Sequence, residues 1–200
     1  MINTLIKKKG FSKKKPLTKD ILSDPKHFVV KTLIYLYSLE PPIYRVLNKA
    51  SRDKDKSRVG TLGPYSDCLR TILANAERNR KDKYPLNTPF MVYRGFGMLD
   101  SEINEYRKMV NNKVGINLRG FTSTTTDNET AMYFAIKGEN KKKNMKSVFV
   151  SIKIRNLKGY DGFQLNSLEY TAYPDEKEIL FYDGLQFKVV EVKETKNEDG

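Results

Sequence analysis

Apolar positions recur at helical spacing in the first half of the chain and alternate at strand spacing in the second. "HFVVKTLIYLYS" (27–38) is apolar enough for a buried helix, although its β-branched residues also suit a strand, and Pro41 and Pro42 end it. The charged stretch "SRDKDKSRVG" (51–60) reads as an exposed connection. Beyond it, Leu69, Ile72, Leu73 and Ala76 fall at i, i+3, i+4 and i+7, the stripe of an amphipathic helix. A further helix is predicted over 100–110, where Asp100 or Ser101 can cap and Ile103, Tyr106 and Val110 share a face. Strand patterns follow. "FMVYRG" (90–95) is apolar and aromatic, and "SVFVSIKI" (147–154) places Val148, Val150, Ile152 and Ile154 on one side. "EILFY" (178–182) and "FKVVEV" (187–192) complete the set, with Asp183-Gly184 marking the turn between them. One short helix, at about 127–137, lies between strands. Helices first and strands later predict an α+β fold, not a doubly wound sheet.

Two hundred residues suffice for one domain with a substantial core. The expected organisation is a leader over 1–26, broken by Gly10, Pro16 and Pro25, and a single domain over 27–200. Within that domain, 27–84 is the helical part and 85–193 the strand-rich core.

Charge adds one feature to this picture. The net charge is +13, and the first 60 residues hold 15 Lys and Arg against five acids, so most of the excess lies there. A basic arm can dock on nucleic acid, an acidic protein or an anionic membrane. The plainer alternative is a solvated face, since "KKKGFSKKK" lacks the aromatic interleaving of a nucleic-acid platform. The single Cys68 cannot form an intramolecular disulfide, and the opening residues show neither a signal peptide nor an apolar span long enough for a membrane. An intracellular, cytoplasmic location is expected, with no membrane span.

Several chemistries are excluded. His27 is the one histidine, so a Ser/His/Asp relay or a Cys/His pair would hang on it alone. One Cys and one His cannot make the usual zinc sets, and no metal is expected. "YRGFGMLD" has Gly95 and Gly97, but Asp100 stands where a dinucleotide fingerprint needs its third glycine, and there is no phosphate loop of the G-x-x-x-x-G-K type. A bound nucleotide must be held by another device.

Three stretches carry candidate chemistry. Arg94 closes an apolar strand, its stem in the core and its planar fork outward, suited to a phosphate, a carboxylate or a structural salt bridge. Gly95 beside it lets a ligand approach the backbone closely. "FTSTT" (121–125) can be a strand whose hydroxyls hold a carboxylate, or one in which Thr serves β propensity alone; Asp127 then caps a helix with Ala131, Phe134 and Ala135 inward and Gly138 as its stop. In "AYPDEKEILFY" (172–182), Glu176 and Glu178 have period-two spacing. Extended backbone would put both on one face, where mutual repulsion raises the proton affinity of one; a solvated loop is the alternative.

Taken in order, Tyr-Arg-Gly, Phe-x-Ser-Thr-Thr and Tyr-x-x-Glu-x-Glu-Ile-Leu resemble the Arg-Ser-Glu (R-S-E) class of mono-ADP-ribosyltransferases, which includes eukaryotic arginine-specific enzymes and related bacterial toxins. The resemblance spans roughly residues 85–193. It implies a split pair of antiparallel sheets, preceded by helices, with NAD in the cleft. By the same match, Arg94 would grip the NAD phosphates, Gly95 would meet the nicotinamide amide through its backbone, and Ser123, with Thr124 beside it, would support the site. Thr125 stands where many relatives have Ser. Glu178 would be the catalytic carboxylate on the ribose, Glu176 would orient or deprotonate an arginine acceptor, and Tyr173 would help recognise it. Phe134 is a candidate to stack on nicotinamide, with core packing as the alternative. The resemblance thus implies transfer of ADP-ribose from NAD to a protein arginine. NAD hydrolysis, a nucleic-acid acceptor reached through the basic arm, and a non-catalytic basic binding module are the competing readings.

Overall fold

The computed structural model describes residues 28–39, 43–78, 90–139, 144–154, 165–167, 171–181 and 183–195. The basic leader, His27, Pro41, Pro42 and Tyr182 lie outside the described residues. Three helices come first: α1 (Phe28–Ser38), α2 (Ile43–Asp53) and α3 (Val59–Arg78). They are followed by β1 (Phe90–Met98), α4 (Asp100–Asn112), β2 (Gly115–Asn117), β3 (Thr122–Thr125), α5 (Asn128–Glu139), β4 (Lys146–Ile154), β5 (Leu165–Ser167), β6 (Glu178–Phe181) and β7 (Gln186–Lys188). The architecture is α+β, as the change of hydrophobic rhythm predicts.

The expected exposed connection over 51–60 is shorter than its charges suggested. α2 runs on to Asp53 and α3 starts at Val59, leaving a single 3₁₀ turn, Lys56–Arg58, in which the Asp55 carboxylate accepts the Ser57 N–H at 3.0 Å. α2 carries an apolar stripe of its own, Ile43, Leu47 and Ala50 at i, i+4 and i+7, with Leu47 and Asn48 its buried positions. α4 is capped differently from expectation. The Glu102 carboxylate accepts the Leu99 N–H at 2.8 Å, while Asp100 pairs with Lys146 of β4 at 3.0 Å.

The strands form a five-stranded sheet in the order β4-β1-β3-β6-β5 and a two-stranded sheet, β2-β7. Every pairing is antiparallel. Asp183-Gly184 does turn, with Gly184 at φ +91°, but it does not close a hairpin, because β6 pairs with β3 and β5 whereas β7 pairs with β2. The turn hands the chain from one sheet to the other. It is held by Gly184 N–H to Leu118 O and Leu118 N–H to Leu185 O, both 2.8 Å, and by an ion pair from Asp183 to Arg70 of α3.

β6 divides the interior. Leu180 joins Ile34, Tyr37, Leu47, Leu69, Leu73 and Phe121 on the helical side, while Ile179 and Phe181 join Val92, Ile154 and Leu185 on the other. Each of these side chains contributes roughly 1.5–3 kcal/mol on full burial. Because strand residues two apart share a face, Glu178 starts β6 on the side of Leu180, toward α1. α5 lies on β1 with almost no gap: a Cβ on Gly95 would strike Ala131 O and come within 2.5 Å of Ala135 N, and one on Gly138 would strike Gly97 N. Gly138 is therefore not the helix stop that the sequence suggested. It is a contact point inside α5.

Candidate active site

β1 pairs with β4 over its whole length, but its register with β3 is the single pair Tyr93 opposite Thr125. The two central strands part beyond that pair, and Arg94 stands at the parting. Its Nη1 donates to the Ser123 carbonyl at 2.7 Å, and its guanidinium carbon lies 5.2 Å from the centre of the Phe96 ring. A guanidinium carries five N–H donors in a rigid fork, so this bond leaves most of the fork for an anion.

Burial pulls the Arg94 pKa below the ordinary arginine value. Arg52 of α2 pulls the same way, and Tyr37, Tyr106 and Glu178 oppose them. The guanidinium nevertheless keeps its charge. A partly buried cation that feels a second cation is a place where a ligand's phosphates would be stabilised.

Glu178, half-buried at the start of β6, stands opposite Thr125 of the central strand. Burial raises its pKa above the ordinary 4.5, against the Ser123 side-chain hydrogen bond and the Arg94 charge, which lower it. The expected cause was repulsion from Glu176; the leading one is loss of water. Behind it sits the Tyr37 phenol, only 3% exposed, whose pKa is also raised, first by burial and next by the Glu178 charge. Asn48 Nδ2 donates to Tyr37 Oη at 3.2 Å, and the buried Asn48 Oδ1 has no hydrogen-bond partner among the described residues.

The segment leading to Glu178 is not a continuous strand. Pro174–Glu176 make a 3₁₀ turn, and Lys177 adopts φ +46° before β6 begins. This left-handed residue breaks the period-two relation, so Glu176 belongs to a loop and Glu178 to the sheet. The loop is still near at hand: Thr125 Oγ1 donates to Glu176 O at 2.7 Å, and Tyr173 is half-buried at its entrance.

The remaining candidates are distributed as follows. Ser123 is exposed at the parting of the strands. Thr124 is buried, and its hydroxyl donates to Ile179 O at 2.8 Å across the β3–β6 pairing. On the side of Gly95 where a Cβ would stand, the neighbour is the α5 backbone, Ala131 O and Ala135 N, and not space for a ligand. Phe134 is half-buried on α5, edge-on to Tyr133 at 5.6 Å between ring centres. Tyr37, Asn48 and Arg52 were missed by the sequence reading. Had α2 been recognised as a helix, the four-residue spacing of Asn48 and Arg52 would have put them on one face.

No group of three His, Cys, Asp or Glu able to hold a metal ion occurs among the described residues. No helix among them is long and apolar enough to cross a membrane.

A solved structure shares this fold. HopU1, an ADP-ribosyltransferase of Pseudomonas syringae pv. Tomato DC3000, aligns with a TM-score of 0.58 at 17% identity, over 86% of this chain and 75% of its own. The Vis toxin, an ADP-ribosyltransferase from Vibrio splendidus, aligns with a TM-score of 0.46 at 17% identity, over 92% of this chain and 84% of its own. A search of curated protein sequences finds no match. The fold is that of the ADP-ribosyltransferases. More narrowly, residues 71–200 match the family described as ADP-ribosyltransferase exoenzyme, and this chain belongs to it. ADP-ribosyltransferases use NAD as their substrate.

Proposed function

We propose that this chain transfers ADP-ribose from NAD to an arginine side chain of a protein, releasing nicotinamide. The observation that supports this reading most is the meeting of Arg94, Ser123 and Glu178 at the split between β1 and β3. Glu176 lies on the loop beside them.

In this reading Arg94 holds the diphosphate, with Arg52 adding to the field, and the Gly95 backbone meets the nicotinamide amide. Glu178 accepts a hydrogen bond from the ribose hydroxyl next to the scissile bond. As the C1′–N bond breaks, its electron pair leaves with nicotinamide and positive charge grows on the sugar. A fixed carboxylate stabilises that charge where it appears, in the transition state. Glu176 takes a proton from the acceptor guanidinium, whose freed nitrogen lone pair forms the new bond to C1′. Tyr173 lies where it can flank the acceptor, and Phe134 is the candidate nicotinamide stacker.

The test uses labelled NAD with agmatine, a small guanidine, and separately with a mixture of proteins. Glu176→Gln should lose transfer by roughly a hundredfold while nicotinamide release into water persists. Equal transfer by wild type and variant would remove the acceptor role of Glu176. Label entering nucleic acid but no protein would remove the arginine acceptor.

A pH dependence follows from Ser123. Its hydrogen bond lowers the Glu178 pKa, so Ser123→Ala lets that pKa rise further. The carboxylate then protonates at higher pH on the way down, and the acid limb of the NAD-cleavage profile should move upward. An unmoved limb with a lower plateau would assign Ser123 to some other task.

A further inference from the structure

Ser38 is the last residue of α1, and its hydroxyl makes two bonds. It donates to Tyr35 O at 2.8 Å, which leaves its lone pairs for the Ala172 N–H, 2.7 Å away and 134 residues on in the chain. Ala172 is completely buried and Thr171 is 5% exposed, so water has little access to replace Ser38 as acceptor. Past Ala172 the loop is tied locally, by Tyr173 N–H to Thr171 Oγ1, Glu176 N–H to Tyr173 O and Lys177 N–H to Pro174 O, at 3.1, 3.1 and 3.2 Å. Its far end is held by Thr125 of β3. Among the described residues, α1 therefore anchors the entrance of the segment that carries Tyr173 and Glu176, and the central strand and the Thr126 N–H that follows it anchor its exit.

We propose that Ser38 is a positioning residue for the guanidine acceptor: by fixing Ala172 it holds the loop in the pose from which Glu176 and Tyr173 meet the acceptor, and so sets how transfer divides against hydrolysis. The inference rests on the proposed acceptor role of Glu176. Its physical basis is the unequal demand of the two reactions. A guanidine nitrogen must be held close to C1′ and in line with the breaking bond, whereas water finds its own approach. Loss of the entrance anchor leaves the buried Ala172 N–H unpaired, and the loop can relieve that only by shifting toward water. The exit anchor, with Glu178 on β6, stays in place. Tyr37, one residue before Ser38, lies within the field of Glu178, so the end of α1 acts on the loop by a hydrogen bond and feels Glu178 through its charge.

The experiment measures nicotinamide release and ADP-ribosyl-agmatine formation together, on the full chain, for wild type, Ser38→Ala, Ser38→Thr and Glu176→Gln. Ser38→Ala should lower the transfer-to-hydrolysis ratio roughly tenfold, with a raised KM for agmatine, and Ser38→Thr, which keeps the hydroxyl, should restore it. If Ser38→Ala does not fold, Ser38→Cys, similar in size but a poor acceptor, should show the same fall. A wild-type ratio in the Ala or Cys variant overturns the proposal, as does a parallel loss of both activities, or a Thr variant as defective as the Ala one. Should Glu176→Gln itself keep full transfer, the underlying acceptor reading fails. If Glu176→Gln loses transfer while Ser38→Ala keeps the wild-type ratio, only the role of Ser38 fails.

Discussion

Glu178→Gln should lower NAD cleavage roughly a thousandfold and, at neutral pH, make the protein more stable. The first effect follows from removing the negative charge while keeping size and hydrogen bonding, so that little stabilises the positive charge growing on the ribose. The second follows from the raised pKa, whose leading cause is burial. A carboxyl whose folded pKa lies above its unfolded 4.5 favours folding when protonated; that contribution is complete below the unfolded value and is lost as pH rises through the folded one. At about pH 7 the wild type therefore carries the cost of a desolvated charge, and the neutral amide does not. Thermal unfolding of both proteins at about pH 7 and about pH 4 checks this. The variant should unfold at the higher temperature at neutral pH, and the gap should close in acid. A variant less stable at neutral pH would mean that Ser123 and Arg94 outweigh burial.

Gly95→Ala should cost stability at the upper end of the roughly 1–3 kcal/mol typical of overpacking, which for a chain of this size lowers Tm by roughly 10 °C. The new methyl group would strike the Ala131 carbonyl, a backbone atom in the middle of α5, and Ala135 N lies within 2.5 Å of it. Neither can swing aside as a side-chain tip could. α5 must rise off β1, and with it the contact of Gly138 on Gly97. Arg94 is the residue just before it in the chain, so NAD cleavage should fall along with stability. Differential scanning calorimetry would show the loss, and an unchanged Tm would mean that α5 does not lie against Gly95.

The Gly95 case also shows where sequence reasoning stops. A glycine after Arg94 suggested close approach of a ligand; the close contact on its Cβ side is a helix 36 to 40 residues later, which was not legible because helix-on-strand packing is a tertiary event. α3, α4, α5 and β4 declared themselves through periodicity. α2 carries such a stripe too, in Ile43, Leu47 and Ala50, but Pro41 and Pro42 before it and the charged run after it suggested a connection. β2 and β5, at three residues each, are too short for alternation to be seen. Asp183-Gly184 correctly marked a turn, yet two residues carry no information about which strands pair beyond them. Arg94, Ser123 and Glu178 could be singled out because each sits on or beside a readable strand. The relation between Glu176 and Glu178 was misread because the left-handed Lys177 intervenes. Ser38 and Tyr37 gave no signal, since their meaning lies in what α1 touches.

The five-stranded sheet fixes a temporal order as well as a spatial one. β6 inserts between β3 and β5, and it is the strand that brings Glu178 to Arg94 and Ser123. A ribosome delivers β1 and β3 more than fifty residues before that carboxylate. Until β6 is released and seated, the growing chain lacks Glu178 at this place in the sheet, so the proposed site is incomplete. The long sequence separation that slows folding thus withholds activity until nearly all the described fold has formed.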